Sequence, residues 1–177
     1  MYEDLQIIHY PDPRLKKRSQ PVEQFNDDLK ALAARMFELM REHRGVGLAA
    51  PQVGINIRMF VMNHSGQPED DRAYVNPELY DAAEEEEGEE GCLSIPGITA
   101  EVLRHRVIRL KAQDLDGNPV ERVESGYIAR IWQHETDHLN GVLIIDRMGP
   151  VARMASRRQL KELEQQYQSQ TKSATKK

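Results

Sequence analysis

One cysteine, Cys92, stands in 177 residues, so no intrachain disulfide can form and a reducing compartment suits the chain. No stretch approaches the ~20 consecutive apolar residues that a membrane span requires. Met1 to Pro13 has neither a basic lead nor an apolar core segment, which does not read as a signal peptide. Net basic charge is also lacking. A formal charge of −5 argues against a general DNA or RNA binder, because phosphate neutralisation needs a basic face. There is no internal repeat and no second apolar core. These absences predict a soluble, cytoplasmic protein without a membrane partner; a monomer is expected.

What is present is ordinary for a globular protein, 39% hydrophobic and 30% charged. The expectation is one catalytic domain over residues 1–170, with 171–177 as a disordered basic tail. The charge is uneven: residues 81–90 carry only acidic charges, whereas 147–177 are strongly basic.

Pro11, Pro13 and Pro21 mark an extended or turning N-terminal arm. Asn26 or Asp27 is placed to cap a helix running to about His43, with Leu29, Leu32, Ala33, Met36, Phe37, Leu39 and Met40 at three- and four-residue steps and Gly45 as its stop. Ile57 to Met62 and Ala73 to Asn76 read as strands, and the acidic Glu84 to Glu90 as a solvated turn. Val102 to Lys111 alternates as a strand, and Asp116-Gly117 turns it into a partner at Pro119 to Val123. Ser125 is placed to cap a second helix through His138, ended by Asn140-Gly141, and Pro150 to open a third over about 151–167. The sum is an α+β fold: a central helix against mostly antiparallel sheet, with an N-terminal and a C-terminal helix.

The central helix carries His134-Glu135-Thr136-Asp137-His138. Histidines four apart project from one helix face and can meet one metal ion at about 2.0–2.1 Å each. Glu135 falls about 100° from His134, in the same sector and beside the metal rather than on it, where a general base belongs. Composition alone predicts roughly 0.02 occurrences of this pattern, so chance is a poor account of it. The flanking Ile128, Ile131 and Leu139 make the helix a buried one, and buried histidines need partners. A catalytic site usually has a third protein ligand. Glu162 and Glu164 are candidates of the conventional metallopeptidase type, though on a basic, exposed-looking helix, and Cys92 is the other.

Three segments, Gly45-Val46-Gly47-Leu48-Ala49-Ala50-Pro51-Gln52, Glu90-Gly91-Cys92-Leu93-Ser94 and Gln133-His134-Glu135-Thr136-Asp137-His138, resemble the signature segments of peptide deformylases, in order and at suitable separations. Tyr10 to Leu15, Val102 to Arg104 and Gly141 to Asp146 extend the likeness over nearly the whole chain. The resemblance implies a metallohydrolase that removes the formyl group from formyl-methionyl nascent polypeptides and releases formate. It implies Cys92, His134 and His138 as metal ligands with water in the fourth position, and Glu135 as the acid–base residue. The Gln52 side chain and the Leu93 backbone N–H become oxyanion donors. Gly45, Val46 and Gly47 become the segment that pairs with the peptide. Fe(II) is the implied physiological ion, with zinc, nickel or cobalt able to replace it in purified protein.

Arg104 and Asp137 are candidates for a structural pair near the site. Many bacterial deformylases have an apolar methionine-pocket residue four before the first histidine; here it is Arg130, and Gly126 to Ile131 resembles the branch that includes organellar members. An arginine there is expected to snorkel outward over its aliphatic stem. The basic C-terminal helix, with Arg153, Arg157, Arg158 and Lys161, reads as a solvated face or as a ribosome-docking element. A non-catalytic metal-binding or ribosome-associated module is the competing class, but it would need neither Glu135 nor Gln52.

Overall fold

A computed structural model describes residues 2–174 of the chain. After the N-terminal arm, helix α1 spans Asp27–Glu42, and the Asn26 side chain caps it by accepting from the Leu29 N–H. The strands are β1 (Gly47–Ala49), β2 (Met59–Met62), β3 (Arg72–Gly91), β4 (Thr99–Gln113) and β5 (Pro119–Ser125). They form one antiparallel sheet in chain order, with β1 at the edge. Helix α2 spans Gly126–Leu139, followed by α3 (Ile144–Arg147), α4 (Pro150–Ala155) and α5 (Arg157–Ala174).

The apolar stripe of α1 packs on Leu48, Met59 and Val61 of the β1–β2 edge. On α2, Ala129, Ile131, Trp132 and Leu139 face Phe60, Met62, Tyr74, Ile108 and Leu110, with Trp132 edge-on to Tyr74 at 5.7 Å between ring centroids. Each such large side chain, fully buried, contributes about 1.5–3 kcal/mol of hydrophobic stabilisation. A third cluster joins Ile95, Ile98 and Val102 to Leu143, Ile144, Leu160 and Leu163. The helix bearing the His-Glu-x-x-His pattern is therefore central, and the α+β architecture is as the sequence implied.

Several local readings are corrected. Glu84 to Glu90 is not a turn: it belongs to the 20-residue β3, whose last half pairs with β4 from Ala83↔Val107 to Gly91↔Thr99. The side chains of Glu84 to Glu87 and of Glu89 are exposed while the backbone pairs, Glu90 is buried, and Arg106 Nη1 reaches Glu84 Oε2 at 2.8 Å. The turn after α1 is made by Arg44, at φ 55, rather than by Gly45, whose N–H bonds to the Met40 carbonyl. Ser125 does stand at the N-cap of α2, but its side chain makes no capping bond. The helix expected over 151–167 is two helices, broken at Ser156, and the second continues to Ala174. So residues 171–174 of the expected disordered tail are helical, and 175–177 lie outside the described residues.

Candidate metal centre

His134 and His138 share one face of α2, and their Nε2 atoms are 3.2 Å apart. Cys92, in the loop just after β3, brings its Sγ to 3.3 Å from His138 Nε2. The three donor atoms all lie within 4.8 Å of one another, an arrangement able to hold a metal ion. Nitrogens at the corners of a tetrahedron, each about 2.0–2.1 Å from its centre, stand about 3.3–3.4 Å apart. The observed spacing fits that figure without rearrangement.

The two imidazoles are shifted in opposite directions. Burial works to lower both imidazoles. At His134 the hydrogen bonds with Cys92 and Glu90 outweigh it and hold the ring well above its ordinary range. At His138 burial, reinforced by the neighbouring His134, keeps the ring well below it.

Glu135 is 3% exposed, and its Oε2 has no hydrogen-bond partner. Burial pushes its carboxyl up to about 7, against the lowering influence of His134. The carboxylate lies directly over the backbone of Gly47, where a Cβ would overlap Oε1. Gly47→Ala is therefore expected to displace the Glu135 side chain. Activity should fall at least about tenfold, with cation content unchanged, checked by formate release beside metal analysis.

Gln52 lies in the short turn Ala50–Val53 after β1 and is 1% exposed. Its Oε1 accepts from the Ala49 N–H at 2.8 Å, which fixes the amide so that Nε2 faces Ser94 Oγ at 3.2 Å and Cys92 Sγ at 3.7 Å. Gly45, Val46 and Gly47 run along the sheet edge, with Val46 and Gly47 paired inward to Asn63 and Met62. These three, with Gln52, Cys92, Leu93, His134 and Glu135, line one cleft of about 780 Å³.

Glu162 and Glu164 are not among the convergent donors. They bond instead to Arg158 and to the Tyr10 hydroxyl, both on or beside α5. The structure therefore brings Cys92, and neither glutamate, together with the two histidines.

Arg104 does meet Asp137, with Nη1 to Oδ2 at 2.6 Å, and Arg147 bonds to both oxygens of the same carboxylate. The sequence reading missed the larger group these belong to. Glu90, 6% exposed, accepts from Arg104 Nε and Nη2 and from Arg130 Nη1, and pairs with His134 Nδ1 at 2.9 Å. Burial alone would raise its carboxyl, but the His134 and Arg104 partners bring it down to about 2. Arg130 does not snorkel outward; it turns inward over the β3–β4 ribbon. A signal for this was available. Ala100, Val102 and Arg104 alternate on one strand face, and a buried arginine requires a carboxylate.

Residues 4–154 match the polypeptide deformylase family. The chain belongs to that family. It is 48% identical over 155 residues to a peptide deformylase of Thermotoga petrophila, covering 87% of this chain and 93% of that one. Against the Pseudomonas aeruginosa peptide deformylase it is 42% identical, over 94% of this chain and 98% of the other. Among solved structures, a plant peptide deformylase superposes with a TM-score of 0.93 at 38% identity, covering 97% of this chain and 95% of that one. The Plasmodium falciparum peptide deformylase superposes with a TM-score of 0.90 at 39% identity, covering 93% and 98%. The family is metal-dependent, and its hydrolases remove the N-formyl group from nascent peptides; this is the activity of the chain.

Proposed function

We propose that Cys92, His134 and His138 hold one divalent cation, Fe(II) in the cell, and that Glu135, Gln52 and the Leu93 N–H carry the hydrolysis of formyl-methionyl peptides. The observation that carries this is the convergence of one thiol and two imidazoles within 4.8 Å, beside a buried carboxylate with an unpartnered oxygen. A cation in that place supplies a Lewis acid and makes water a nucleophile near neutral pH.

The chain's own residues do the remaining work. The Glu135 carboxylate, which lines the cleft and has an unpartnered oxygen, takes the proton of the attacking water and later delivers it to the leaving amine. Formate and a free α-amino group result. The Gln52 Nε2, pre-oriented by Ala49, and the Leu93 N–H donate to the oxygen that becomes negative; one such donor is worth about 3–4 kcal/mol of the barrier. The open edge of Gly45, Val46 and Gly47 takes the extended substrate backbone as an added strand, which holds the formyl group at the cation.

The chain works as a cytoplasmic monomer with one catalytic domain, and among the described residues no helix is long and apolar enough to cross a membrane. The basic residues of α4 and α5 offer a weak, salt-sensitive contact to ribosomal RNA near emerging chains.

Formate release from formyl-Met-Ala, measured after anaerobic loading with Fe(II), Ni(II), Co(II) or Zn(II), tests the reading. Turnover is expected to be highest with Fe(II), Ni(II) or Co(II), and lower with Zn(II). Absence of formate with all of them would overturn it.

A further inference from the structure

We propose that Arg130 is a positioning residue for the cation site, acting through Glu90, and that Gly88 is a glycine so that Arg130 can reach it. This rests on reading Cys92, His134 and His138 as cation ligands.

Arg130 lies one turn before His134 on α2, on the same helix face. Its side chain is 11% exposed, and its guanidinium spreads over four acceptors. Nη1 donates to Glu90 Oε1 at 3.0 Å, to the Val102 carbonyl at 2.9 Å and to the Gly88 carbonyl at 3.3 Å, while Nη2 donates to the Glu86 carbonyl at 2.8 Å. These acceptors sit on both β3 and β4. One planar group thus ties the first turns of α2 to the ribbon that leads into Cys92.

Glu90 is the transmitting group. Its Oε1 is fixed by Arg130 and by Arg104 Nε, and its Oε2 by Arg104 Nη2 and His134 Nδ1. With Nδ1–H committed to the carboxylate, His134 presents the lone pair of Nε2 toward Cys92 and His138. Arg104 grips both oxygens of Glu90 from β4, and its Nη1 goes on to Asp137. Arg130 supplies the second anchor, from the side of the helix that carries the histidines.

Gly88 makes room. A Cβ there would stand 2.9 Å from both Cζ and Nη2 of Arg130, and 3.2 Å from Nε, so a side chain at 88 would force the guanidinium to shift from its place over the ribbon. A lysine at 130 keeps the charge, but a single ammonium cannot bridge a carboxylate and carbonyls on two strands.

Zn(II) affinity of the apo-protein, by chelator competition, and the visible absorption of the Co(II) form are the readouts. Arg130→Met and, independently, Gly88→Ala are expected to raise the Zn(II) Kd about 10–100-fold and to perturb the Co(II) spectrum. Arg130→Lys should recover part of the loss. In a Glu90→Gln background, Arg130→Met should change the Kd by less than about twofold, since the path is already cut. A folded Arg130→Met protein with wild-type affinity overturns the proposal, as does full additivity with Glu90→Gln. If Arg130→Met does not fold, wild-type affinity in Gly88→Ala overturns it. Cys92→Ala in the same titration tests the underlying ligand reading separately: unchanged Zn(II) binding there would remove the site itself, whatever Arg130 does.

Discussion

Glu135→Gln is expected to lower kcat by about 10²–10⁴-fold, the usual loss when a positioned acid–base group is removed. Glutamine has the shape of the native side chain, so it still lies over Gly47. It has no oxygen able to take a proton from water, and so the step fails at proton transfer rather than at binding. Cation content should remain at one per chain, and KM should change little, because the substrate backbone is held by the sheet edge and not by this carboxylate. Thermal stability should not fall. The native carboxylate is buried with one unpartnered oxygen, and a neutral amide removes the cost of burying charge there. Steady-state formate release with metal analysis and a melting curve checks all three. Retention of kcat within about tenfold would place the proton transfer elsewhere.

Cys92→Ala should have the opposite signature, with the cation lost first and activity following. Loss of an outer-shell partner typically costs 10–100-fold in metal affinity, so loss of a ligand should exceed about 100-fold. The backbone around position 92 is independently held, since the Ile95 N–H bonds to the Cys92 carbonyl and the Tyr10 N–H to the Ser94 carbonyl. The variant should therefore fold, with its cleft intact and its histidines present. Elemental analysis after anaerobic purification should find well under one metal per chain. A conventional two-histidine, one-glutamate site would keep its metal in this variant. Stoichiometric metal in folded Cys92→Ala would thus refute the thiolate site, and full activity would refute the mechanism with it.

The sequence reading reached furthest where chemistry is local. The spacing of His134 and His138 states by itself that two imidazoles share a helix face, because 3.6 residues per turn leaves no alternative. The stripe from Leu29 to Met40 states that α1 buries one side, and Asn26 that it starts there. Arg130 and the acidic run show where such reasoning stops. Arg130 on its own suggests a stem with a solvated head. Its inward course depends on Gly88 leaving space and on carbonyls from two strands that lie 28 to 44 positions away in the chain. Glu84 to Glu90 has the composition of a loop, and only its pairing with β4 makes it a strand.

By itself, then, the sequence determined the helices with strong apolar periodicity, the histidine pair with its glutamate, and the three segments that mark the family. Those features live in short stretches of chain, where geometry is set by backbone period and side-chain chemistry. Helix spacing left the third donor open, the family segments implied Cys92, and the tertiary structure brings that thiol, rather than Glu162 or Glu164, beside the imidazoles. It alone showed that Gln52 turns its amide nitrogen toward Cys92, and that Glu90 joins two arginines to a histidine. Each of these is a meeting of residues distant in sequence, and which of them meet is fixed by how the sheet pairs and how α2 lies across it, not by any local preference.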